Sequence, residues 1–145
     1  MSVFGAMDIS ATGMTAQRLR TDIISQNIAN VNTTRGSDGQ PYRRKTVVFA
    51  EKDIACFSHA LGMASGTVGN GVKVTQIVSD KASDMRKVYD PSHPDADADG
   101  YVTYPNVNTV TEMTNLIDAS RSYEANVTAF NATKSMAMKG LELGK

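Results

Sequence analysis

A chain of 145 residues is at most one ordinary domain, and its 15 basic and 15 acidic side chains cancel, so no overall field points to nucleic acid or an anionic membrane. Apolar residues make up 41% with no Trp, and the single cysteine, Cys56, excludes an internal disulfide framework and a cysteine-rich zinc site. No run approaches the roughly 18 apolar residues that cross a bilayer. The N-terminus shows no basic segment leading into an apolar core, so no cleavable secretory signal is expected.

Phe4 to Val31 predicts a helix uninterrupted by Pro. Projected at 3.6 residues per turn, Ile9, Met14, Ala16, Leu19, Ile23, Ile24, Ile28 and Val31 spread over more than half of its circumference. One antiparallel partner covers less than that, and the middle of the chain offers no large core. The pattern therefore suits a helix with several neighbours, other copies of the chain included. Its end, Asn27-Ile28-Ala29-Asn30-Val31-Asn32-Thr33-Thr34, is rich in residues that compete with the helical backbone for hydrogen bonds. Asn27 and Asn30 share a face with the apolar residues. Such an Asn can fix the register of packed helices, while spacing alone also allows a plain polar helix end.

Gly36, Ser37, Asp38, Gly39 and Pro41 then break the chain into loop. Tyr42 to Ala50 reads as a strand centred on Thr46-Val47-Val48-Phe49, with Arg43-Arg44-Lys45 as a solvated strand edge rather than a phosphate site. Residues 53–67, which include Cys56, show no period and read as a mobile excursion. Asn70-Gly71 between Val68 and Val72 suits a type I′ hairpin turn, and a strand continues from Val72 toward Val78. Met85–Tyr89 and Tyr101–Tyr104 are two further short strands.

The last stretch, Asn106 to Leu143, follows Pro105, and Thr109 with Glu112 offers a capping box. Steps of three and four residues from Met113 land on Leu116, Ser120, Tyr123, Val127, Phe130, Lys134, Ala137 and Leu141. A spacing averaging 3.5 residues is that of a coiled-coil seam. The expected fold is α+β: long N- and C-terminal helices pair as a coiled-coil-like module around a small β-rich insert. The expected division is 1–34 and 106–145 for the two helical segments and 35–105 for the insert.

Chemistry is sparse. Asp95-Ala96-Asp97-Ala98-Asp99-Gly100 opens like an EF-hand calcium loop. The bidentate Glu demanded at the twelfth position is Asn106, however, and Pro91, Pro94 and Pro105 flank the run where helices belong. A solvated turn between two extended segments is the better reading. His59 and His93 have no ligand or triad spacing, and no phosphate-cradling Gly-rich loop exists. No enzyme, metal or cofactor is expected.

Ser25-Gln26-Asn27-Ile28-Ala29-Asn30-Val31-Asn32-Thr33 resembles the N-terminal motif of the bacterial flagellar rod and hook proteins, the axial family. Tyr42 to Lys45, Arg86 to Val102, Tyr104 to Asn108, Ala119 to Val127 and Lys139 to Lys145 carry the resemblance through the chain, and within the family they are similar to a subunit of the proximal rod. Residues 53–67 show no likeness. The resemblance implies a structural subunit of the basal-body rod that polymerises through its terminal helices, transmits torque and encloses the export channel. Implied partners are copies of itself, rod subunits of the FlgB, FlgF and FlgG type, rod–ring junction proteins and the type III export apparatus, with no nucleic acid or small-molecule substrate. Export would occur without cleavage, and the terminal segments would order only on assembly. The expected interface comprises Leu19, Ile23, Ile24, Asn27, Ile28, Asn30 and Asn32 from the first helix. Leu116, Tyr123, Val127, Phe130 and Leu141 would come from the last. Two other classes stay open: a small exported calcium-binding protein resting on Asp95, Asp97 and Asp99, and an exported partner-binding module with amphipathic ends.

Overall fold

The computed structural model of the chain describes residues 3–36, 38–52 and 70–142. Its elements are helix α1 (Val3–Ala29), strands β1 (Lys45–Glu51), β2 (Val72–Ser79), β3 (Arg86–Tyr89) and β4 (Tyr101–Tyr104), and helix α2 (Thr109–Glu142). Two long terminal helices thus enclose a small β insert in sequence, the α+β arrangement that the hydrophobic periods predict. At 34 residues α2 extends about 51 Å. The predicted excursion at 53–67, Cys56 and part of the Asn70-Gly71 turn lie outside the described residues. Among the described residues, β2 pairs with β1 in a two-stranded sheet and β3 pairs with β4 in another.

The helix ends are set by Asn side chains. Asn30 donates from its backbone and its side-chain amide to the Gln26 carbonyl, at 3.1 and 2.8 Å, and so closes α1. Asn108 caps α2, its Oδ1 accepting from the amides of Val110 and Thr111 at 3.0 and 3.4 Å. The capping box expected between Thr109 and Glu112 does not form. The Glu112 carboxylate turns inward instead and is 1% exposed.

The described residues fall into two compact units. The first contains 3–19 of α1, 48–52 and 70–76 of the β1–β2 ribbon, and 119–142 of α2. Its helices meet through small side chains: Ser10, Ala16 and Ala119 are buried, and Ser10 satisfies its hydroxyl on the Ala6 carbonyl at 3.1 Å. Gly13 lies against Asn126 so closely that a Cβ there would stand 2.7 Å from the Asn126 Oδ1. The ribbon is held by Lys52, whose amide donates to the Gly71 carbonyl at 2.9 Å, and by the Thr12 hydroxyl, which accepts from the Val72 amide at 3.2 Å. Gly71 has φ 100° and a Cβ on it would overlap the Thr12 hydroxyl, so only glycine fits this turn.

The second unit contains 20–36 and 38–47 together with 77–118. Strands β3 and β4 pair antiparallel, Arg86 opposite Tyr104 and Tyr89 opposite Tyr101, and Val102 is fully buried with Ile23 and Ile24 in this unit's core. The acidic run is the connection between those strands. The Asp97 amide donates to the Tyr101 carbonyl at 2.9 Å and the Gly100 amide to Asp97 at 2.8 Å, with Gly100 at φ 80°. This is the solvated turn favoured by the flanking prolines.

Candidate functional site

The second unit is closed by a buried polar cluster. Asn27, fully buried on the inward face of α1, uses all the hydrogen-bonding capacity of its amide. Its Nδ2 donates to the Lys45 carbonyl at 2.9 Å and to Glu112 Oε2 at 2.8 Å. Its Oδ1 accepts from the Lys45 amide and from the Tyr42 hydroxyl, both at 2.9 Å. Arg44 grips the same acid from the other side, its Nε and a terminal guanidinium nitrogen each 2.8 Å from Glu112 Oε1. Asn106 continues the cluster. Its Oδ1 accepts from the Arg44 amide at 2.9 Å, and its Nδ2 donates to the Asp80 carbonyl at 3.2 Å. The first residue past β2 is thereby tied to the approach to α2.

A carboxylate taken out of water needs charge and hydrogen bonds to compensate, and Glu112 has both. Burial first, and the neighbouring Glu112 charge second, push the Tyr42 phenol above its ordinary range. Its proton is thus held on the oxygen that donates to Asn27. Lys45 stands over the Tyr42 ring, 5.6 Å from the centroid. The outer side of Arg44 and Glu112 faces a cleft of about 110 Å³ walled by Arg20, Ile23, Ile24, Thr46, Val47 and Asn115. Asp80 lies below the usual carboxylate range, held by hydrogen bonds from the Ser83 hydroxyl and amide and from the Ala82 amide. The Arg43-Arg44-Lys45 cluster is accordingly no solvated strand edge. Arg44 is committed to Glu112, and an Arg43 guanidinium nitrogen reaches the Asp80 carbonyl at 3.4 Å.

On α2 the inward residues are Glu112, Asn115, Ala119, Ser122, Asn126, Phe130, Thr133 and Ala137. They keep the predicted spacing of three and four, but for most of the helix they run one position out of phase with the apolar stripe, and they are mostly small or polar. Several large apolar residues of the stripe are left outside, while Leu116, Val127 and Phe130 are partly buried. In the second unit Val110, Met113 and Ile117 are 71, 59 and 53% exposed, and in the first unit Tyr123 and Leu141 are 40 and 76% exposed. Small inward side chains let the backbones approach, so bulky neighbours are displaced to the flanks.

The expected interface residues divide accordingly. Ile23, Ile24 and Asn27 are buried within the chain itself, whereas Leu19, Ile28, Asn30, Leu116, Val127 and Phe130 are partly exposed. Asn30 is occupied as a helix end, Asn32 is exposed, and Tyr123 and Leu141 face outward. Sequence reasoning missed Glu112, Arg44, Tyr42 and Asn106. The one available signal was the heptad series Glu112, Ala119, Asn126 and Thr133, which runs beside Met113. Asp95 is engaged by Arg35 at 2.9 Å and by the Thr34 hydroxyl at 2.8 Å. Among the described residues no group of three or more His, Cys, Asp or Glu could hold a metal ion, and no helix is long and apolar enough to cross a membrane.

Two family models match the chain: "Flagella basal body rod protein" over residues 7–35, and "Flagellar basal body rod FlgEFG protein C-terminal" over residues 98–143. The first covers most of α1 and its Asn-rich end, and the second covers β4 and α2. The chain is 51% identical to the flagellar basal-body rod protein FlgC of Bacillus subtilis, with both chains covered completely. It is 45% identical to FlgC of Borreliella burgdorferi over 99% of this chain and 98% of that one. The FlgC of Salmonella typhimurium is 41% identical over the whole of both chains. With end-to-end identity at this level and rod-family matches at both helical ends, the chain belongs to the FlgC family of flagellar basal-body rod proteins.

Proposed function

We propose that the chain is a structural subunit of the flagellar basal-body rod that polymerises through its terminal helices into the proximal rod, encloses the export channel and transmits torque. The family is structural rather than enzymatic, and its place is the basal-body rod. The observation that carries the polymerisation reading is the outward apolar stripe of α2. A helix that turns Ala119, Ser122 and Asn126 inward while exposing Met113, Ile117, Tyr123 and Leu141 is built for a second set of neighbours. In this reading Leu116, Tyr123, Val127, Phe130 and Leu141, with Leu19, Ile28 and Asn32 of α1, form the contact surface. Ile23, Ile24 and Asn27 support it from behind. Residues 1–34 and 106–145 act as the axial helical module and 35–105 as the outer insert. The partners are copies of the chain, rod subunits of the FlgB, FlgF and FlgG type and rod–ring junction proteins. Delivery is by the flagellar type III apparatus without cleavage.

Tyr123→Asp tests this directly, because Tyr123 is 40% exposed and is no part of the buried polar cluster. The variant is expected to keep the helical content of the free chain and to lose rod formation and motility in cells relying on it. Normal motility with normal rods would overturn the assignment of this surface.

A further inference from the structure

The apolar pattern of α2 leaves one thing unspecified. Its stripe repeats every seven residues, as does the inward series Glu112, Ala119, Asn126 and Thr133. A helix whose inward positions recur every seven residues turns the same face to its partner after sliding along it, so the period by itself does not fix the alignment. Hydrophobic burial alone therefore ranks several alignments of α1 and α2 close together. In the second unit the partner surface beside Asn27 is Ile23 and Ile24, which accept any apolar neighbour.

We infer that the Asn27–Glu112–Arg44 cluster is a register lock, selecting one alignment of α1 against α2 by rejecting the others rather than by adding much stability to the right one. In the native alignment every donor and acceptor of Asn27 is used, and both Glu112 oxygens meet donors at 2.8 Å. Sliding α2 by one turn in the direction of Ile23 carries the Glu112 carboxylate off the Arg44 guanidinium and onto aliphatic surface. The Asn27 amide then faces Asn108 and Thr109 at the start of α2. A buried charge without a partner is far worse than a buried charge with one, so the discrimination lies in the misaligned states. Arg44 takes part from the position just before β1, not from either helix. Its own backbone is fixed by Asn106 at the amide and by the Asp80 amide, which donates to the Arg44 carbonyl at 2.8 Å. The guanidinium is thus a stationary reference point against which α2 is aligned.

The test replaces the ion pair with apolar residues in the full chain. Arg44→Met combined with Glu112→Leu keeps the bonds of Asn27 to Lys45 and Tyr42 and removes the charge. The double variant is expected to hold its thermal midpoint within a few degrees while its ¹⁵N–¹H spectrum shows doubled or exchange-broadened amides for 20–29 and 109–118. Glu112→Gln keeps one acceptor oxygen, enough for either Arg44 or Asn27, and a polar head that the aliphatic surface of a slid alignment still rejects, so it is expected to show one set of resonances. A single sharp set with native inter-helix contacts in the double variant would overturn the proposal. So would doubling in Glu112→Gln, or a double variant unfolded by circular dichroism, since the pair would then be stabilising rather than selective.

Discussion

Arg44→Ala removes the guanidinium that holds Glu112 Oε1 at 2.8 Å and leaves a carboxylate 1% exposed with only neutral amides for company. Breaking a buried pair in this way costs about 3–5 kcal/mol. The Arg44 side chain is 28% exposed, and the Glu112 Oε2 keeps its bond from Asn27, so water entering the vacated space offsets part of the loss. The lower end, about 3 kcal/mol, is the expected value. That is roughly 150-fold in the folding equilibrium, and it lowers the thermal midpoint by about 10 °C for a chain of this length. Urea unfolding followed by far-UV circular dichroism measures it, which suits a chain without Trp. Adding Glu112→Gln to the same background neutralises the stranded charge and is expected to recover about half of the loss. A cost below about 1 kcal/mol for Arg44→Ala, or no recovery in the double variant, would mean that Glu112 is solvated by other means.

Asn108→Ala is expected to lower stability by about 1 kcal/mol and Thr109→Ala by only a few tenths, because Asn108 carries the cap; equal losses in thermal unfolding would contradict this. At Gly13 two effects oppose each other. Gly13→Ala gains about 1 kcal/mol of helix propensity, yet it forces Asn126 off the Ser122 carbonyl that it holds at 2.8 Å. The single variant should therefore be close to neutral, and Gly13→Ala with Asn126→Ala more stable than Asn126→Ala alone, as denaturant midpoints would reveal. The Tyr42 phenol lies above its ordinary value of 10.0 in the fold, so the unfolded chain sheds that proton first as pH rises. Its contribution is complete below pH 10 and lost above it. Tyr42→Phe is expected to flatten the alkaline limb of the stability profile, and an unchanged limb would show that the phenol's environment is not the cause.

The fold was legible where one residue's local preference was enough. The Pro-free run from Phe4, the 3.5-residue spacing of α2 and the alternation around Val47 each needed only neighbours in sequence, and each became the expected element. The Asn-rich end of α1 likewise stopped the helix where Asn30 could reach Gln26. Legibility failed where the answer depended on which of two adjacent helical faces turned inward. The large residues of α2 mark the apolar face, yet Gly13, Ser10 and Ala16 leave room only for small partners, so the inward line shifted beside it. Glu112 was unreadable for the same reason. In a local view it completes a cap with Thr109, and only a chain already folded shows that Arg44 and Asn27 stand waiting for it. No local pattern connects these positions.

Asn27 and Glu112 are 85 positions apart in the chain. Strands β3 and β4, by contrast, meet across the short connection from Asp90 to Gly100. Bringing the distant pair together costs about 2 kcal/mol more in loop-closure entropy than closing that hairpin. During synthesis at about 5–20 residues per second, roughly 4–17 s pass between the appearance of Asn27 and that of Glu112. Throughout that interval Ile23 and Ile24 lack the cover that α2 will later give them. The nascent chain thus carries a bare apolar helix for seconds, and a ribosome-associated chaperone has that long to take hold of it.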